Sequence, residues 1–123
     1  MILLGDKLIP YEEISYINSI DEIAKSKANS TILFKYNEDI LKYCNENRLS
    51  FGVIVSSLRE SIYANSLEAK YIICSKPLDK IIQDIAENYM FDSKILSTIE
   101  NSKEIEAVAL DKIDGIIYKS LLG

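Results

Sequence analysis

Phe51-Gly52-Val53-Ile54-Val55 and Tyr71-Ile72-Ile73-Cys74 are short, nearly continuous apolar runs rich in β-branched residues. A strand that is apolar on both faces needs cover on both faces, which is the habit of parallel sheets flanked by helices. The runs end in Ser56-Ser57 and Ser75, small polar residues that suit a strand turning into a helix. After Pro77 the period changes. Leu78, Ile81, Ile82, Ile85, Ala86, Tyr89 and Met90 follow the i, i+3, i+4, i+7 spacing of one apolar helical face. Pro77 fits the first helical position, where its missing N–H has no partner to lose. Asp79 falls where a negative charge favours the helix dipole. From Leu49 to Met90 the chain therefore reads strand, helix, strand, helix.

The same alternation continues on both sides. Residues 1–30 are irregular: Ile2-Leu3-Leu4 suggests a short strand, and Glu13 to Asn18 alternates as a half-buried strand does. Ser19 and Glu22 have capping-box spacing before a short helix over Ile20 to Ser26. Thr31 to Phe34 predicts the first regular strand, and Asn37 a helix N-cap ahead of Ile40, Leu41 and Cys44. Further on come a strand over Ile95 to Ile99, a second capping-box pair at Asn101 and Glu104, a helix burying Ile105, Val108 and Ala109, and a last strand at Ile116 to Tyr118. About five strands and four helices in one domain, residues 1–123, predict an α/β fold with right-handed crossovers. The expected architecture is a flavodoxin-like three-layer sandwich with a mostly parallel sheet. Half of a (β/α)8 barrel gives the same local pattern and is the alternative; it would leave open edges and favour a homodimer.

Composition narrows the chemistry. The 123 residues are 48% hydrophobic and 27% charged, a globular mix. A net charge of −5 argues against nucleic acid or an anionic membrane as partner. No apolar run approaches a transmembrane span, and Met1 to Leu4 is cut off by Gly5-Asp6 with no basic region before it, so a cytoplasmic location is expected. Cys44 and Cys74 share no metal-ligand spacing and read as buried reduced thiols. The chain has no histidine, which removes Ser-His-Asp and Cys-His catalysis and the usual zinc sites. No catalytic residue, metal site or cofactor is expected.

Ligands of open α/β sheets bind beyond the carboxyl ends of the strands. That rule selects Asn37, Glu38 and Asp39, then Ser56 and Ser57, Ser75 and Lys76, Thr98 and Glu100, and Lys119 and Ser120. Neither GxGxxG nor a P-loop pattern occurs among them. Asn37, Ser56, Ser57 and Lys76 form the candidate ligand set.

From about Thr31 to Tyr89 the pattern resembles the C-terminal half of a response-regulator receiver domain. Ser56-Ser57 ends one strand, an alanine-containing turn at Ser66 to Tyr71 leads into the next, and Lys76-Pro77 precedes the following helix. The resemblance implies that Lys76 occupies the place of the lysine that pairs with a phosphorylated aspartate, and Ser56 or Ser57 that of the hydroxyl that senses the phosphoryl group. The preceding strand ends in Lys35, Tyr36 and Asn37, without an acceptor aspartate. The implied protein is a receiver-like module that cannot be phosphorylated and acts through a protein partner or self-association. A half-barrel enzyme or binding protein for a small anionic metabolite is the alternative.

Overall fold

The structure, a computed structural model, describes residues 1–123. Seven strands are present: β1 (Ile2–Leu4), β2 (Ile14–Tyr16), β3 (Thr31–Lys35), β4 (Phe51–Ile54), β5 (Tyr71–Cys74), β6 (Lys94–Ile99) and β7 (Gly115–Tyr118). The helices are α1 (Ile20–Ile23), α2 (Glu38–Glu46), α3 (Leu58–Ser66), α4 (Leu78–Asn88) and α5 (Ile105–Leu110), with short 3-10 turns at Ser102–Glu104 and Lys119–Leu121. The α/β class with a parallel, helix-flanked sheet stands as read from the sequence, with seven strands rather than about five. The additional two are β1 and β2. They are the short strands suggested at Ile2 to Leu4 and within Glu13 to Asn18, set outside the count of regular strands, and their neighbours fix them in the sheet: Ile2 registers with Gly115, and Ile14 with Thr31.

All neighbouring strands are parallel, in the order β1-β7-β6-β5-β4-β3-β2. From β2 to β7 the sheet grows one strand at a time in one direction. Flavodoxin-like sheets reverse direction at a switch point. Here there is no reversal, and the winding is that of the barrel alternative, carried to seven strands. Right-handed crossovers that all step the same way place their helices on one face. The apolar clusters show that asymmetry. The larger one joins strand residues such as Ile32, Phe34, Val53, Ile72 and Ile95 to Ile40, Leu41, Ala64, Ile82, Ala86 and Val108 of the helices. The smaller one, centred on Leu4, Leu33, Tyr71, Ile73, Leu96 and Ile117, contains no helical residue, and these six side chains are at most 4% exposed.

The sheet itself replaces the second helical layer of a three-layer sandwich. Laid flat, seven strands would separate the edges by roughly 29 Å. Yet a Cβ on Gly5, just after β1, would lie 3.1 Å from Leu121, and one on Gly123 would lie 3.1 Å from Tyr16 of β2. Residues 121 to 123 span at most about 7 Å. The two edges are therefore brought together by a strong curl, and the inner face packs on itself. Leu121 and Leu122 lie against this inner cluster just beyond the end of β7. Residues 5–13 link the two edge strands, running from the carboxyl end of β1 to the amino end of β2 without a helix.

The predicted α4 exists but is rotated from its expected face. Pro77 is the N-cap rather than the first helical residue. Ile82 and Ala86 are buried as expected, whereas Ile81, Tyr89 and Met90 are exposed. Asp79 and Gln83 take the buried places. Both are satisfied there: Asp79 accepts from the buried Ser97 hydroxyl at 2.8 Å, and Gln83 Oε1 accepts from the Asp114 amide at 3.0 Å.

α2 to α5 share one ending. Arg48, Glu68, Met90 and Lys112 adopt φ of 53°, 71°, 52° and 60°. The next amide in each case, from Leu49, Ala69, Phe91 and Ile113, bonds back five residues to Cys44, Ala64, Ala86 and Val108. This is a Schellman ending with a non-glycine residue in the left-handed position. It turns the chain back toward the sheet in successive units.

Candidate anion-binding site

The carboxyl ends of β5, β6 and β7 converge on one depression of about 440 Å³. Its walls carry Ser75 and Lys76 from the end of β5, Thr98 from β6, Lys103 and Glu104 from the 3-10 turn, and Lys119 from beyond β7. The hydroxyls of Ser75 and Thr98 are 2.7 Å apart, bonded to each other. Registered strands make this pairing, because Cys74 faces Ser97 in the sheet and the next residue on each strand follows in step.

One carboxylate lines the depression, and it is held by backbone. Glu104 Oε2 accepts from the amides of Glu100 at 2.7 Å and Asn101 at 3.0 Å, closing the capping box expected from the sequence. Those two bonds hold its carboxyl below the usual range, with the charges of Lys119 and Lys76 adding to the effect. Lys119 Nζ reaches out to Glu100 Oε1 at 3.1 Å, an exposed contact. Lys76 and Lys103 have no ion-pair partner. The lining thus brings together three lysines, two hydroxyls and one carboxylate already engaged by amides. Amine and hydroxyl donors in a concave site can bind the oxygens of an anion.

Of the four candidate residues, the structure puts only Lys76 here. Asn37 caps α2, accepting from the Ile40 amide at 3.0 Å. Ser57 caps α3, accepting from the Glu60 amide at 3.2 Å. Ser56 donates its amide and hydroxyl to Glu60 Oε1 at 2.8 and 3.2 Å. These three side chains complete helix ends and do not line the depression. Lys103 was not among the strand-end residues, because it lies on a turn five residues past Thr98. A lysine two residues after a capping-box asparagine was the available signal.

The opposite end of the sheet is built differently. Glu12, two residues before β2, accepts from Thr31 Oγ1 at 2.6 Å, Lys70 Nζ at 2.7 Å and the Tyr71 hydroxyl at 2.5 Å. Burial alone would raise its carboxyl; the bonds from Lys70, Thr31 and Tyr71 and the Lys70 charge outweigh that and hold it low. The Tyr71 hydroxyl is pushed up by burial and by the Glu12 carboxylate. A hollow of about 590 Å³ nearby contains Lys27 and Arg48, but Lys27 is paired with Glu13 at 3.2 Å.

Cys44 and Cys74 are free and buried. Burial pushes the Cys44 thiol up to about 11, and burial with the Asp79 charge pushes Cys74 up to about 12. Such thiols are poor nucleophiles. No helix is long and apolar enough to cross a membrane. No protein-family model matches the chain, and no curated protein matches it at a significant level.

Proposed function

We propose that this protein is a non-catalytic binding module for a small anionic ligand held at the carboxyl ends of β5, β6 and β7. The observation that carries this reading is the gathering of Lys76, Lys103 and Lys119 around the Ser75–Thr98 hydroxyl pair in one depression. Lysines are compact charges on flexible stems, suited to an oxyanion rather than to a planar bidentate partner. The one lining carboxylate is tied to amides and has no free role as a general base. The sequential winding supports the same end of the sheet, where barrel-type folds place their ligands.

Thermal unfolding of wild type, Lys76→Met and Lys103→Met against inorganic phosphate, phosphorylated sugars and dicarboxylates tests the reading. A ligand at a hundred times its Kd should stabilise wild type by about 2.7 kcal/mol. The shift should vanish or shrink strongly in both variants. A panel that leaves wild type unmoved, or a shift retained in full by Lys76→Met, would sink it.

The second reading is the interaction module that the receiver resemblance implies. It is favoured by the exposed Leu8, Ile9 and Tyr11 of the segment linking the edges; Leu8 is 89% exposed. A stoichiometric protein partner lost on Leu8→Ser, with no response to any anion, is its expected result.

A further inference from the structure

Glu100, at the rim, is held differently from Glu104, the acid that lines the lysine depression. Its carboxylate does not cap a helix or accept from a backbone amide; its one hydrogen bond is to Lys119. Glu104, by contrast, is fixed by two amides and cannot leave without opening the helix start. The charges can be counted. Lys76, Lys103 and Lys119 against Glu104 leave the lining with two uncompensated positive charges, and Glu100 at the rim reduces this to one. A monoanion balances the site while Glu100 stays on Lys119, and a dianion balances it once Glu100 has been released to water. Three lysines offer more donors than the two oxygens of a carboxylate take up, and match the three terminal oxygens of a phosphoryl group. Of the bonded Ser75 and Thr98 hydroxyls, the one that accepts keeps its own proton free to donate to a ligand oxygen.

Building on the anion-binding reading, we infer that the ligand is a small soluble phosphate monoester in its dianionic form, and that Glu100 is an internal competitor which the phosphoryl group displaces from Lys119. Glu100 then acts as a built-in threshold. It satisfies Lys119 in the empty site and sets the concentration at which ligand takes over. Because the pair is exposed, its competition is modest, in keeping with ion pairs on protein surfaces.

Calorimetric titration with methyl phosphate at pH 7.5 tests the assignment. Glu100→Gln should tighten binding about two- to five-fold, the range set by an exposed ion pair. Lys119→Met should weaken binding, and Glu100→Gln should give no tightening when added to Lys119→Met, since the carboxylate then has no lysine to hold. Acetate should bind more weakly than methyl phosphate. Lowering the pH to 5, below the second phosphate ionisation near 6, should weaken methyl phosphate binding. Methyl phosphate binding that is unchanged or weaker in Glu100→Gln would overturn the role of Glu100 while leaving the pocket reading intact. Acetate binding as tightly as methyl phosphate would overturn the dianion. Binding to vesicles carrying phosphatidic acid, with none to methyl phosphate, would overturn the small soluble ligand. Absence of anion binding in wild type and all variants would overturn both the inference and the reading beneath it.

Discussion

The two ends of the sheet use the same kinds of group to opposite effect. At the amino end one carboxylate, Glu12, receives a lysine, a threonine and a tyrosine, and the set is closed. At the carboxyl end three lysines and a hydroxyl pair face a depression in which the carboxylate is already bound to amides. A polar cluster whose donors and acceptors match holds structure together. A cluster with surplus charge of one sign is in balance only with something added. Matching also explains placement: Glu12 reaches from the segment before β2 to Tyr71 of β5, so its bonds fasten the curl where β1 and β2 share no ladder.

If the amino end is structural, damage there should unfold the protein. The largest effect is expected from Gly115→Ala. The new Cβ would stand 2.4 Å from the Ile2 carbonyl oxygen and 2.6 Å from the Ile2 Cβ. Backbone cannot yield as a side-chain tip can, so β1 should detach from β7, at a cost of about 3 kcal/mol in urea unfolding. Near-wild-type stability would show that the edge is not closed as described.

Glu12→Gln should come next, costing about 1 kcal/mol at neutral pH, since the site is partly open to solvent. Its signature is in the pH profile. The Glu12 carboxyl is held below its ordinary value of 4.5 in the folded state. The stabilisation is therefore complete above the unfolded value and is lost as pH falls through the lower, folded one. Melts from pH 7 to pH 3 should show wild type losing its advantage over Glu12→Gln below about pH 5, until the two converge. Parallel profiles would place the acid sensitivity elsewhere.

The smallest effect belongs to the carboxyl end. Lys76→Met should change stability by no more than about 0.5 kcal/mol, or raise it slightly by relieving repulsion among the lysines. The same variant should lose the anion response. A large loss of stability would make Lys76 structural and erase the contrast between the two ends.

Local features carried much of this in plain sight. The apolar runs at Phe51 and Tyr71 are central strands because a fully apolar run has nowhere else to go. Asn101 and Glu104 form their capping box because that contact is settled within four residues. The rotation of α4 was hidden, since burying Asp79 and Gln83 depends on Ser97 and Asp114, which are 18 and 31 residues away in sequence. The shared helix endings were hidden for another reason: Arg48, Glu68, Met90 and Lys112 occupy positions where glycine would have announced the turn.

The candidate site divides in the same way. Lys76 was visible as a lysine at a strand end, and Ser56, Ser57 and Asn37 had the right residue type at equivalent places. Local geometry turned Asn37 and Ser57 into helix caps that accept the nearest free amides, and tied Ser56 to the Glu60 carboxylate of the same helix start. Period and composition by themselves determined an α/β chain of parallel strands without histidine chemistry, since these follow from which residues are apolar and which are absent. Tertiary structure alone decided the order of the strands, the curl that buries the inner face, and the meeting of Lys76, Lys103 and Lys119. Each depends on contacts between segments that only the folded sheet brings within reach.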